Sequence, residues 1–118
     1  MKIWVFIINV DLQAYGEPFD VDVEPSSSVY DLKIAAQQSA KNFLGHLNVM
    51  EFTVWKTKGK TIDLSNWNDI EVKDINFKDK NIIRPVLGHV KVENLELTDD
   101  EILLVRKETS TSRIFTAP

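Results

Sequence analysis

Cysteine is absent from this 118-residue sequence, and glycine and proline are scarce, at four each. Without thiols there is no disulfide framework and no thiolate metal site. That absence leaves the compartment open, since it fits the cytosol and secretion alike. The glycines, at positions 16, 45, 59 and 88, are never clustered, so no Gly-rich phosphate loop exists. Histidine occurs only as His46 and His89, with no second histidine at ligand spacing. Each reads as a loop or edge residue rather than a metal ligand. Basic residues are outnumbered 14 to 18, for a formal net charge of -4, and form no concentrated stripe. Nucleic-acid binding by this domain is therefore not expected. No segment approaches the roughly 20 apolar residues of a membrane-spanning helix. The run from Ile3 to Ile8 is broken by Asn9 and Asp11. A signal core needs about 7–15 apolar residues and then a small-residue cleavage site. The run reads instead as a buried first strand.

What is present fits one soluble domain. The hydrophobic fraction is 43% and the charged fraction 27%, enough to build a core without cross-links. Lys2 to Val10 is β-branched or aromatic on both faces, as in a strand at the middle of a sheet. Asp11 to Glu17, with Gly16, reads as a hairpin turn. Phe19, Val21 and Val23 alternate with Asp20, Asp22 and Glu24, the pattern of a half-buried strand with an acidic wet face. Pro25-Ser26-Ser27-Ser28 ends that strand, and Ser28 with Asp31 forms a capping signal. Val29, Leu32, Ala36 and Ala40 then make one apolar stripe on a helix from Val29 to about Asn42, closed by Phe43, Leu44 and Gly45.

Glu51 to Lys56 reads as the next strand, with Phe52 and Val54 inward. After a turn at Lys58-Gly59-Lys60, Thr61 to Leu64 reads as a short return strand. Ser65 to Lys80 is a long polar connection anchored by Trp67, Ile70, Val72, Ile75 and Phe77. Ile82 to Val92 mixes apolar residues with Pro85 and Gly88 and has no clear period. Leu95 and Leu97 lead into a turn at Thr98-Asp99-Asp100, and Glu101 to Lys107 is the closing strand. The expected domain is 1–107, followed by a polar tail, 108–118. A hairpin followed by a crossing helix returns the third strand beside the first, and the closing strand also pairs with strand one. This predicts an α+β fold of the ubiquitin-like β-grasp type: a mixed sheet of four to five strands with one crossing helix.

Four stretches, in order, carry a family resemblance. They are Pro18-Phe19-Asp20-Val21-Asp22-Val23, Ser28-Val29-Tyr30-Asp31-Leu32-Lys33, Met50-Glu51-Phe52-Thr53-Val54-Trp55-Lys56 and Ile102-Leu103-Leu104-Val105. Together they resemble the N-terminal ubiquitin-like header of the Crinkler effectors of oomycetes and fungi. Val54-Trp55-Lys56 is similar to the Leu-Trp-Lys of fungal members. The resemblance implies a non-catalytic header that serves export, delivery into host cells or partner binding, with any toxic activity in a separate C-terminal domain. It implies secretion; without it, a cytoplasmic location is expected. The alternative is an intracellular interaction domain of a larger protein, of the PB1, Ras-binding or UBX-like kind.

No catalytic constellation is visible. Ser26 to Ser28 are better explained as a turn and helix cap than as nucleophiles, and no nucleophile elbow occurs. Asp20, Asp22 and Glu24 read as a solvated strand face, and Asp99-Asp100-Glu101 as a turn. No cofactor is expected. The partner expected is another protein. A conjugated modifier ends in Gly-Gly, whereas this sequence ends Phe115-Thr116-Ala117-Pro118, so conjugation is not expected.

The candidate interaction surface runs from Met50 to Lys60: Met50, Phe52, Val54, Trp55, Lys56, Lys58 and Lys60. The three lysines fall at every second position and share one side. Trp55 is opposite in phase to Phe52 and Val54, and two placements fit it. Either the ring is exposed beside lysine, as in interaction hot spots, or the long connection covers it through Trp67.

Overall fold

In the computed structural model, residues 1–41, 48–58 and 61–108 are described. Among these residues, five strands and one α-helix follow in the order β1 (Lys2–Ile8), β2 (Ala14–Asp22), α1 (Val29–Ser39), β3 (Phe52–Thr57), β4 (Ile83–Val86) and β5 (Ile102–Lys107). They form one mixed sheet in the order β2-β1-β5-β3-β4. β1 runs antiparallel to β2 and parallel to β5, and β5 and β4 both run antiparallel to β3. With α1 crossing the sheet, this is the β-grasp arrangement.

The two-sided apolar character of β1 and β5 follows from this order, because both strands are interior. Ile3, Val5 and Ile7 of β1 and Leu103 and Val105 of β5 face the helix-side core; Phe6, Ile8, Ile102 and Leu104 face the opposite core. Burying each such side chain contributes roughly 2 kcal/mol. One expectation needs correcting. β3 does not return beside β1; it pairs with β5, with Phe52 opposite Lys107 and Trp55 opposite Leu104. The parallel β5 takes the place beside β1 that the expectation gave to β3.

The first hairpin also turns earlier than its glycine suggests. Asn9 Oδ1 accepts the backbone N–H groups of Asp11 and Gln13, each at 2.9 Å, and Leu12 takes a positive φ of 62°. An Asn side chain that satisfies its own turn competes well with a strand ladder, so β1 stops at Ile8. Gly16, at φ 74°, lies within β2, where the register shifts between Val5 and Ile7. It supplies a β-bulge rather than the turn.

α1 starts where the capping signal places it. Asp31 N–H donates to Ser28 Oγ (3.2 Å), and Ser28 N–H donates to Asp31 Oδ2 (3.1 Å). The Val29 and Tyr30 N–H groups donate to the carbonyls of Val90 and Gly88, so the helix start is tied to the segment after β4. Val29, Leu32, Ala36 and Ala40 are buried as the stripe predicts. The residues expected to close the helix, 42–45, lie outside the described set, as do His46 and the tail 109–118. Ser28→Ala is expected to cost about 1 kcal/mol, read as a lower urea midpoint with an unchanged slope.

The segment after β3 departs most from regular structure. Thr61 to Leu64 does not form a strand; its ladder contact is a single bridge, Asp63 to Glu101. The anchors of the long connection nevertheless do what was expected of them. Val72 and Ile75 are buried, and Trp67, Ile70 and Phe77 pack beside them on the sheet face opposite α1. Trp67 meets Phe6 edge-on at 5.7 Å. The irregular run after Ile82 resolves into β4, which carries Pro85 and lies at the sheet edge, where a missing N–H is tolerated. A 3₁₀ turn over Val92–Leu95 follows, and Glu96 closes it in the left-handed region (φ 55°, ψ 45°). Glu96→Gly is expected to stabilise the fold by roughly 0.5–1 kcal/mol, seen as a melting temperature raised by a few degrees.

Candidate interaction surface

The described part of the candidate stretch, Met50 to Lys58, does not form one continuous exposed surface. Met50, in a 3₁₀ turn before β3, is 76% exposed. Phe52 and Val54 point inward as predicted and are sealed in the helix-side core. Trp55 lies on the opposite face and is half-buried against the long connection. Its ring meets Phe77 edge-on at 5.0 Å, and the Arg106 guanidinium lies 5.4 Å from the ring centre. Trp55 Nε1–H donates to Glu108 Oε1 at 3.4 Å. Of the two placements open to Trp55, the covered one holds, with Phe77 rather than Trp67 as the covering ring.

The shared lysine face is also divided. Lys56 Nζ lies 3.0 Å from Glu101 Oε2, and that glutamate side chain is only 4% exposed. Glu101 closes the turn expected there, its N–H donating to the Thr98 carbonyl at 3.2 Å, but its side chain is buried just before β5 and holds Lys56 in the structure. Lys58 is exposed at the end of β3, and Lys60 lies outside the described residues. Asp20 lies 3.5 Å from Lys2 Nζ on the neighbouring strand, in keeping with a solvated strand face.

Beside the lysines lies a groove that sequence reasoning did not single out. It runs along β4 and the turn that follows, with a volume of about 340 Å³. Val86 and Leu95 form a nearly buried floor, with Val90 beside them. Leu87 forms an apolar wall and is 62% exposed. Arg84 faces Lys56 across the β3–β4 ladder, and it is exposed. Tyr30 of α1, also among the exposed large apolar residues, stands beside Gly88: a Cβ built on that glycine would lie 3.8 Å from Tyr30 Cβ. A bulky apolar residue next to a turn glycine, Leu87-Gly88, was the signal available for this patch. It was masked by the lack of any period around it.

The remaining chemistry is sparse. Among the described residues, no group of three or more His, Asp or Glu is placed to hold a metal ion. His89 is exposed in a loop. Burial pushes the Lys33 ammonium below its ordinary range, an effect that Glu108 opposes. Lys33 lies on α1 and does not line the groove. Among the described residues, no helix is long and apolar enough to cross a membrane.

No protein-family model matches the chain, and no curated protein matches it. Solved structures do resemble it. A ubiquitin from Caldiarchaeum subterraneum superposes with a TM-score of 0.53 at 14% identity, over 94% of this chain and 99% of that one. A ubiquitin-like domain of an Arabidopsis thaliana protein gives 0.47 at 14% identity, over 92% and 80% of the two chains. At this identity the archaeal likeness establishes the fold: the chain is a ubiquitin-like β-grasp domain.

Proposed function

We propose that this chain is a non-catalytic protein-docking module that engages its partner through the β4 end of the sheet. The observation that carries this reading is how the surface is divided. Both faces of the sheet are packed, one under α1 and one under the long connection. Leu87, an exposed large apolar residue, lines the groove with the exposed Arg84, and the exposed Tyr30 stands beside the neighbouring Gly88. An apolar group ringed by polar and basic side chains is the anatomy of an interface centre. The test is a photo-crosslinking side chain at position 87, with a control at position 19, in a second groove that Tyr15 and Phe19 of β2 line with Gln38 and Ser39 of α1. A protein adduct from position 87 alone is the expected result. Adducts from position 19 alone would move the docking surface to the other side of the molecule.

The finer reading is a Crinkler-type header, secreted and delivered into host cells. Its support is the four ordered stretches and their compatibility with this fold. Phe52 and Val54 are sealed in the core, so a receptor reading the third stretch would have to do so through Met50 and the basic end of β3. The rival is an intracellular interaction domain. Secretion of the tagged chain by its native cell, followed by its recovery inside a recipient cell, separates the two; retention in the producing cytosol favours the rival.

A further inference from the structure

We infer that the groove along β4 takes an acidic protein segment that inserts apolar side chains beside Leu87. This deepens the docking reading above and rests on it.

Charge is the first argument. Lys56 is neutralised locally by Glu101, at 3.0 Å. Arg84 and Lys58 are exposed, and neither has an ion-pair partner among the described residues. Arg84 lines the groove at its β3–β4 end, and Lys58 lies just beyond β3, two residues from Lys56, on a chain whose formal net charge is -4. Glu96 lines the groove at the turn beyond Leu95, so the acceptable ligand is polar in its own right. Its acids belong at the β3–β4 end, and its apolar residues over Val86, Val90 and Leu95. Such complementarity selects a partner and its orientation more than it adds affinity.

Size and backbone chemistry supply the rest. A volume of about 340 Å³ accepts a few side chains rather than a folded surface. β4 is a free edge, but Pro85 has no N–H to offer an added strand. Side chains, not a continued ladder, must therefore carry the recognition. An anionic membrane is a poorer match, because a flat layer of head groups offers no apolar side chains to fill the groove beside Leu87.

The test uses the chain and a synthetic peptide of about 12 residues in which Glu and Leu are grouped as one acidic and one apolar half. Three controls accompany it: the same peptide with Lys for Glu, one with Ser for Leu, and vesicles rich in phosphatidylserine. Backbone amide shifts locate the site. The acidic–apolar peptide should perturb Arg84, Leu87 and Val90, and should weaken as salt rises from about 50 to about 300 mM. The double variant Lys58→Glu/Arg84→Glu should weaken it about tenfold, as should Leu87→Ser. Both variants change exposed side chains, and circular dichroism confirms that they fold. Equal binding of the Lys peptide, shifts centred on Tyr15 and Phe19, self-association through the groove, or vesicle binding without peptide binding would each overturn the inference. Crosslinks to a partner from position 87 that survive the charge reversal would overturn the acidic partner alone and leave the docking reading standing. Loss of every crosslink from position 87 in the unaltered chain would overturn both.

Discussion

Asp63→Ala is expected to lower stability by about 3 kcal/mol, which for a domain of this size is about 12 °C in melting temperature. Asp63 is 8% exposed. Its Oδ1 accepts from Ser65 N–H (2.9 Å), Ser65 Oγ–H (2.6 Å) and Asn66 N–H (3.1 Å). Asn66 closes the turn in return, accepting from Asp63 N–H at 2.7 Å and donating to the Thr61 carbonyl at 3.2 Å. Leu64 N–H bonds the Asp100 carbonyl, which fastens the turn to the start of β5. Alanine removes the acceptor and leaves these donors short of partners in a place water reaches poorly, and hydrogen bonds to a charged group are the costly ones to lose. The same turn launches the connection that covers the second face. The variant should therefore also show a red-shifted tryptophan emission before global unfolding, as Trp67 loosens from Phe6. Asp63→Asn keeps one acceptor oxygen and should lose roughly half as much. A melting temperature within about 2 °C of the parent chain for Asp63→Ala would show that the turn does not hold the cover.

Much of the fold was readable from residue types because its strongest signals are local. The capping pair Ser28 and Asp31 and the stripe Val29, Leu32, Ala36 and Ala40 settle α1 without reference to the rest of the chain. The two-sided apolar strands β1 and β5 announce a sheet interior. Which strand sits beside which is not local. Order along the chain is the only guide a sequence offers, and it puts β3 beside β1, whereas the pairing depends on β5 arriving in parallel and occupying that edge. β4 was obscured because it is short, with Pro85 in its middle, so no alternation develops.

The candidate surface is harder to read from a sequence, and for a related reason. Alternation tells which side of a strand a residue occupies, but not what later covers that side. Lys56 and Lys58 do share a phase, yet Glu101 comes from far along the chain to claim Lys56, while Lys58 has no ion-pair partner among the described residues. Arg84 and Leu87 are close in sequence, but Tyr30 comes from α1 and reaches this segment only in the folded molecule. Tyr30 is placed there by its N–H donating to the Gly88 carbonyl at 2.9 Å, at the start of α1, which no spacing in the sequence records.

Trp55 offers the sharpest test of this division between structure and binding. Trp55→Ala is expected to cost about 3 kcal/mol in stability while leaving partner binding at β4 within about twofold of the parent chain. The ring contributes its own burial, the edge-on contact with Phe77 at 5.0 Å, and a cation–π contact with Arg106 at 5.4 Å. Aromatic pairs add about 0.5–1.5 kcal/mol beyond area, and the cation–π contact about 0.5–1 kcal/mol at a partly exposed site. Arg106 also lies 5.1 Å from the Phe77 ring centre and 3.2 Å from Glu108 Oε2. Four side chains thus brace the connection against β3 and β5. Trp55→Phe retains a ring against Phe77 and should lose only about 1 kcal/mol. A double-mutant cycle between Trp55 and Phe77 should return a coupling of about 1 kcal/mol, which an exposed ring would not give. The opposite pattern, a partner lost by Trp55→Ala with the melting temperature unchanged, would place the ring in the interface and return the binding surface to the middle of β3.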